Sequence, residues 1–255
     1  MKKGFVQTEN FRRLMEAEKK VAQRGAIEQS IVLVSGVFGI GKSLLTERWA
    51  TESGYVFIRA KETWTKQSML RDLAAKMGLP VDGNLSQVQD RIIGRVATTM
   101  TPIIVDEADH LIPTSRITRG GQRVAPMLEA LRDITDITGV MCFLVGMQNF
   151  PSMVLQFDHI ASRVAEPVYL EQLSLEDVQA TVKAKAEVSI SPEVIEAILT
   201  QSQGRMRWVL NAISNLEQWA RSNSWTSVEL AHIKGLPLCT EFTSQTIAHS
   251  RKGRS

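Results

Sequence analysis

The sequence predicts an α/β fold: a three-layer domain with a parallel sheet, followed by a small all-helical lid. Three observations predict it. Short aliphatic runs alternate with helical patterns as far as residue 172, the first run leads into a glycine-rich turn, and strand patterns stop beyond about residue 173. The expected divisions are a helical segment at 1–30, the α/β core at 31–172, the lid at 173–236, and a basic, disordered tail at 237–255.

Composition excludes some classes of protein. The chain has 255 residues, a formal net charge of +3 and two cysteines, so a disulfide framework is not expected and a reducing compartment is. The sequence has no apolar run of the roughly 18 residues that a membrane span needs, so we expect a cytoplasmic protein. Basic residues gather near both ends of the chain, which fits a solvated surface or contact with polyanions equally well.

The central stretch is the aliphatic run 31–34 and the glycine-rich turn after it. Gly36, four further residues and then Gly41-Lys42-Ser43 form the P-loop spacing. Glycines let backbone N–H groups turn inward, the lysine places positive charge against phosphate oxygens, and the serine hydroxyl ligates Mg²⁺. The predicted ligand is a nucleoside triphosphate with Mg²⁺. The candidate nucleotide-binding residues in this stretch are Gly36, Val37, Phe38, Gly39, Ile40, Gly41, Lys42, Ser43 and Leu44.

A helix over 8–24 precedes this stretch, and a second strand over 55–58 follows the P-loop helix. The polar loop after that strand carries Lys61 and Lys66 around Trp64, which looks exposed. Helices are predicted over 67–77 and 86–99.

The next strand, from residue 102, ends in two acids, Asp106 and Glu107. Ligands of open α/β sheets bind at the carboxyl ends of strands, so both acids should face the phosphates. We expect Asp106 to hold the magnesium together with Ser43. Glu107 is expected to orient and deprotonate the attacking water.

Residues 112–126 are polar and predict a mobile surface loop. Its arginines, Arg116, Arg119 and Arg123, fit phosphate contacts or a simple solvated loop. A helix over 127–135 and a strand over 140–146 follow. After that strand, Gln148 is the preferred amide for holding the attacking water, and Asn149 could instead cap the next turn.

A helix is predicted from Phe150 toward Arg163, then a last strand over 168–170. Arg163 is either an ordinary surface arginine or an arginine finger that reaches a neighbouring subunit's nucleotide. In the lid, helices are expected to begin at Ser174 and Ser191, after Gly204, and at Thr226.

These parts together resemble the AAA+ ATPases over about residues 7–233. The resemblance is carried by the P-loop, Asp106-Glu107, a polar residue after the fourth strand, Ser162-Arg163 before the fifth strand, and Gly204-Arg205-Met206-Arg207 in the lid. Within that family, the runs 104–111 and 131–136, the latter leading into 143–146, look most like the transposition-targeting branch, which includes phage Mu transposition protein B.

The resemblance implies roles for several residues. Gln148 would sense the γ-phosphate, Arg163 would act in trans, and Arg207 would be the lid sensor, with Arg205 as its close competitor. It also implies an ATP-dependent homo-oligomer, commonly a filament, on double-stranded DNA, with a transposase as partner. By charge and position, the candidate DNA contacts are Lys61, Lys66, Arg116, Arg119 and Arg123. Trp64 would stack on DNA or simply pack.

Two alternatives stay open. One keeps the ATPase and changes its client, as a loader of a replicative helicase or a secretion-type ATPase. The other is a scaffold that ATP assembles and in which hydrolysis is incidental.

Overall fold

The computed structural model describes residues 1–2, 4–113, 118–119 and 122–239. They divide into two compact units. One spans Asn10–Glu171, and the other joins Met1–Glu9 to the described residues from Gln172 onward. None of the described helices is long and apolar enough to cross a membrane.

The larger unit is built on a five-stranded parallel sheet. In chain order its elements are α1 (Glu9–Ala22), β1 (Ile31–Gly36), α2 (Lys42–Ser53), β2 (Val56–Arg59), α3 (Lys66–Lys76), α4 (Leu85–Thr99), β3 (Ile103–Asp106), β4 (Thr118–Arg119), β5 (Gln122–Arg123), α5 (Pro126–Thr138), β6 (Cys142–Met147), α6 (Phe150–Val154), α7 (Asp158–Ala161) and β7 (Val164–Leu170). The strand order β2-β3-β6-β1-β7 places β1 between β6 and β7. This architecture confirms the predicted α/β fold with a parallel sheet.

Hydrophobic burial holds the sheet and its helices together. Every residue of β1 and β3 is buried, as expected of parallel strands covered on both faces. Trp49 of α2 packs edge-on against Phe143 of β6, with ring centroids 4.8 Å apart. Helix starts follow local chemistry: Thr65 and Ser68 form a capping box at α3, and Asn84 and Gln87 form one at α4.

The smaller unit is mainly helical. Its elements are α8 (Leu175–Lys185), β8 (Ser189–Ile190), α9 (Pro192–Ser202), α10 (Met206–Ser222) and β9 (Ser227–Val228). Ser174 caps α8 by accepting from the Asp177 N–H, and proline begins α9. Val209, Ile213 and Leu216 of α10 are fully buried in the core of this unit.

The predicted final helix from Thr226 is wrong. Residues 227–228 instead form β9, which pairs in parallel with β8, and a 3-10 turn, Leu230–Ile233, follows. Val228 is fully buried and its carbonyl accepts a 3.0 Å hydrogen bond from the Ser191 N–H, so tertiary packing overrides the helix-start signal.

Three further expectations differ from the structure. The helix predicted from Phe150 is two short helices, because Phe157 leaves helical geometry and buries its ring. The last strand begins at Val164 instead of residue 168, since Val164 already pairs with Ile31. The segment 112–126, predicted as a loop, contains the antiparallel pair β4–β5. From residue 240 onward, the predicted tail lies outside the described part of the chain.

Candidate active site

The turn between β1 and α2 has the backbone of a phosphate cradle. Gly39 and Gly41 have φ of 84° and 92°, a region that side chains disfavour. A Cβ on Gly36 would lie 2.7 Å from the Leu170 carbonyl oxygen, so glycine is required there for close packing as well. Gly41 is the N-cap of α2 and has no side chain, so no side-chain cap competes for the first N–H groups of this helix. The turn therefore presents a helix N-terminus to an anion.

Lys42 folds back over this cradle. Its Nζ donates to the Gly36 carbonyl at 2.8 Å and to the Val37 carbonyl at 3.1 Å. The ammonium group is thus held at the mouth of the loop, where it can meet phosphate oxygens. Ser43 follows in the first turn of α2 and is partly exposed. Two other predicted nucleotide contacts, Phe38 and Leu44, are more than half exposed, at 55% and 56%.

The two acids at the end of β3 have different environments. The Asp106 side chain is only 2% exposed, and its Oδ2 accepts from the Nε of Arg59 at 3.0 Å. Glu107 is exposed and has a φ of 56°, which turns the chain sharply at the end of the strand. Arg59 was missed by the sequence analysis, because a strand-end arginine carries no signal until strand register places it beside Asp106.

Strand register brings the predicted residues to one edge of the sheet. Gly36 at the end of β1 pairs with Met147 at the end of β6, and Val105 of β3 pairs with Leu144 of β6. The segment after β6 is fixed by Asp109, whose Oδ2 accepts from the Met147 N–H at 2.9 Å. The P-loop, the acid pair and the amides after β6 therefore follow neighbouring strand ends.

Gln148 and Asn149 are both exposed at this edge. Asn149 is the N-cap residue of α6, but its side chain makes no capping hydrogen bond. The structure thus gives the Asn149 side chain no capping role, and Gln148 stays the predicted sensor.

The donor set fits a magnesium ion. Mg²⁺ prefers oxygen ligands and is usually held by one or two carboxylates together with substrate phosphates and water. Asp106 supplies a buried carboxylate, whose negative charge is stabilised by a nearby cation. Ser43 supplies a hydroxyl in the first turn of α2, beside the helix N-terminus.

Arg163 lies at the other edge of the sheet. It directly precedes β7, and its carbonyl accepts from the Ile31 N–H at the start of β1, whereas the P-loop follows the end of β1. Its Nε donates to Asp136 Oδ1 at 2.9 Å, which raises the pKa of the guanidinium above its usual value. The side chain remains 32% exposed. Arg163 is therefore paired within its own chain but not sealed from solvent.

Among the candidate DNA contacts, Lys61 has both a known exposure and a known ion-pair partner. It is 60% exposed and forms an ion pair with Asp72 at 2.6 Å. Trp64 is only 8% exposed, and its indole N–H donates to the same carboxylate at 2.9 Å. The expectation of an exposed Trp64 was wrong, and the packing alternative holds. Lys66, the first residue of α3, is partly exposed.

The candidate arginines after β3 are less fully described. Arg123 contacts Gln156 and lies over the Phe157 ring, 5.4 Å from its centroid. Arg119 belongs to β4, but its side chain lies outside the described part, as does the whole of Arg116.

The two lid arginines are in the smaller unit. Arg205 stacks on Trp208, with its guanidinium carbon 4.3 Å from the ring centroid, whereas Arg207 is exposed in the first turn of α10. Gly204 before them has a φ of 65°, and its carbonyl accepts from the Leu173 N–H at 2.8 Å. Arg207 is therefore the more accessible of the two arginines.

A family model described as AAA domain matches residues 26–154, about half of the chain. No curated protein matches the sequence.

Several solved structures share the fold. ORC2 of Aeropyrum pernix, in ADPNP–ADP complexes, is 14% identical with a TM-score of 0.68, covering 92% of this chain and 69% of that one. Cdc6p of Pyrobaculum aerophilum is 11% identical with a TM-score of 0.65, covering 96% and 72%. ORC1 of Aeropyrum pernix, in complex with DNA, is 18% identical with a TM-score of 0.58, covering 91% and 65%. At these identities the likeness concerns the fold.

Proposed function

Because the chain belongs to the AAA domain family, we propose that it is an ATPase that assembles on double-stranded DNA, selects target DNA and activates a transposase. The ATPase proposal rests mainly on one observation: the ends of β1, β6 and β3, which are neighbours in the sheet, lie on the same side of it. The Lys42 cradle, the acid pair Asp106-Glu107 and the amide of Gln148 follow neighbouring strands at one edge of the sheet.

The proposed hydrolysis uses these groups in separate roles. The N-terminus of α2 and Lys42 bind the triphosphate. Asp106 and Ser43 hold Mg²⁺, which neutralises phosphate charge when it is bound. Glu107 takes the proton of the attacking water, and Gln148 orients that water without adding charge. Arg207 of the smaller unit is the proposed lid contact to the nucleotide.

Arg163 completes the site of a second copy in this proposal. Its backbone bonds to the start of β1, and the P-loop follows the end of that six-residue strand. A strand rises about 3.3 Å per residue, so the two positions are separated by roughly 17 Å. This separation favours action on a neighbouring copy's nucleotide, and it motivates the proposed homo-oligomer.

The DNA and transposase parts of the proposal are supported by surface charge, by a structural neighbour and by sequence resemblance. Lys61 is exposed after β2, Lys66 is partly exposed at the start of α3, and a structural neighbour, ORC1, was solved in complex with DNA. The runs 104–111 and 131–136 support the transposition-targeting branch. Arg116, Arg119 and Arg123 are the other proposed phosphate contacts. Contacts to the phosphate backbone make binding tolerant of sequence and sensitive to salt.

The DNA proposal is tested by measuring binding to duplexes of unrelated sequence with a slowly hydrolysed ATP analogue, with ADP, and without nucleotide. We expect tight, sequence-tolerant binding with the analogue that weakens steeply as salt rises. The variant Lys42→Ala, which loses the phosphate contact, should bind DNA only as weakly as the nucleotide-free protein. Failure of the wild type to bind any duplex at low salt would contradict the DNA proposal.

Electron microscopy of the same complexes separates filament from ring. A helical coat on DNA supports the proposal, whereas a discrete closed hexamer favours the loader alternative. Pull-down with a transposase and with a replicative helicase as separate baits then identifies the client.

A further inference from the structure

The Asp106 carboxylate already has a cationic partner in its own chain. Its side chain is 2% exposed, and the Arg59 Nε lies 3.0 Å from its Oδ2. The contact follows from the backbone, because Arg59 and Asp106 are register partners at the ends of β2 and β3. The Ala60 N–H also donates to the Asp106 carbonyl at 2.8 Å, which fixes the chain just after Arg59.

Arg59 also reaches the helix that follows the P-loop. Its Nη2 lies 3.6 Å from Oε2 of Glu47 on α2, so one guanidinium lies between the acid of β3 and an acid of α2. The Arg59 side chain is 51% exposed. It is thus anchored at Asp106 but has solvent into which it can move.

A buried carboxylate needs a compensating charge, because leaving it unpaired carries a large desolvation cost. A magnesium ion at Asp106 would supply that charge and would repel a guanidinium within a few ångströms of the same oxygens. The two cations therefore compete for one carboxylate.

We propose that Arg59 is a positioning residue that holds Asp106 in the magnesium-free protein and is displaced when Mg²⁺ binds with nucleotide. Arg59 thereby sets the magnesium concentration at which the site fills. This inference rests on the proposed ATP site, and it adds a residue that the P-loop and acid-pair motifs do not include.

The test measures binding of a fluorescent ATP analogue against magnesium concentration for the wild type and Arg59→Gln. Thermal unfolding in chelator is measured in parallel. The control is Arg48→Gln, which removes an arginine that is also 51% exposed but pairs with Glu52 on the same helix. Arg59→Lys keeps a positive charge without the guanidinium, and it serves as the second variant if Arg59→Gln does not fold.

We expect Arg59→Gln to lower the half-saturating magnesium concentration about threefold, the scale of a partly exposed ion pair. Its unfolding midpoint in chelator should fall by about 1–3 °C, because the same loss of the Asp106 partner lowers the stability of the magnesium-free protein. Arg59→Lys should lie between it and the wild type, and Arg48→Gln should match the wild type in both measurements.

An unchanged or higher magnesium requirement in Arg59→Gln would overturn the inference, even if stability falls, because Arg59 would then be only structural or would itself help to bind the nucleotide. A wild-type protein that binds no nucleotide, with or without magnesium, would overturn the ATP proposal as well. The wild-type curve thus separates the two failures.

Discussion

Cys142 shows how burial decides the chemistry of a single residue. It begins β6, is fully buried, and burial raises the pKa of its thiol to about 12. The nucleophile in thiol chemistry is the thiolate. Near pH 8 a thiol of this pKa is ionised to only about one part in ten thousand, and reagents have no path to it in the folded protein.

We therefore expect iodoacetamide to label Cys239, which is partly exposed, and to leave Cys142 unmodified until the protein is unfolded. Mass spectrometry of peptides labelled with and without denaturant measures this. In the matched variant Cys239→Ser, the native protein should take up almost no label. Labelling of Cys142 at the rate of Cys239 in native protein would contradict the burial seen here.

Other single residues show where prediction from sequence ends. The P-loop positions follow from spacing, because each residue type has a local task. The polar loop around Trp64 predicts an exposed side chain, but the side chain is buried and its indole N–H donates to Asp72 on the following helix. Arg59 gave no signal at all, since its partner Asp106 lies 47 positions away and meets it only through strand pairing.

At the scale of elements, hydrophobic pattern predicted each strand of the five-stranded sheet and most helices, whereas the ends of these elements depended on tertiary contacts. The Phe150 segment breaks because Phe157 is buried in the core, and β9 forms because its residues find a partner strand. Both outcomes require knowledge of what packs nearby. Periodicity within a segment does not contain that information.

Substitution by alanine should be favourable at one glycine of the chain and unfavourable at another. Gly94 lies exposed in the middle of α4, and a Cβ there would meet no atom within 4 Å. Gly94→Ala should therefore raise the free energy of unfolding by about 0.5–1 kcal/mol, through lower backbone entropy of the unfolded chain. Chemical denaturation measures the gain.

Gly36 is the contrasting position. An added Cβ would lie 2.4 Å from Ile40 Cδ1 and 2.7 Å from a backbone oxygen that cannot yield cheaply. Gly36→Ala should weaken binding of the ATP analogue, because the cradle must shift to accept the methyl group. Equal nucleotide affinity for the two variants would show that the cradle tolerates the displacement, against this expectation.

At the scale of the whole molecule, one copy of the chain places Arg163 and the P-loop at opposite edges of its sheet. The fold was predictable as a class because motif order and strand pattern agree. The strand order was not, since it depends on pairing between distant segments. It is this order that brings Glu107 and Gln148 to the P-loop edge. A site that uses both Glu107 and Arg163 then requires two copies.

This requirement predicts complementation between two inactive variants. Glu107→Gln lacks the base and should lower ATP hydrolysis on DNA by about 10²- to 10⁴-fold, while Arg163→Ala lacks the arginine finger, a group worth about 10³- to 10⁵-fold. Mixed in equal amounts on DNA, the two variants should recover about a quarter of wild-type activity, because one interface in four combines an intact Glu107 with an intact Arg163 from the adjoining copy. Steady-state phosphate release measures the recovery, and each variant alone is the control. If the mixture stays as inactive as its components although both variants assemble on DNA, Arg163 does not act between copies, and the ion pair with Asp136 is the whole of its role.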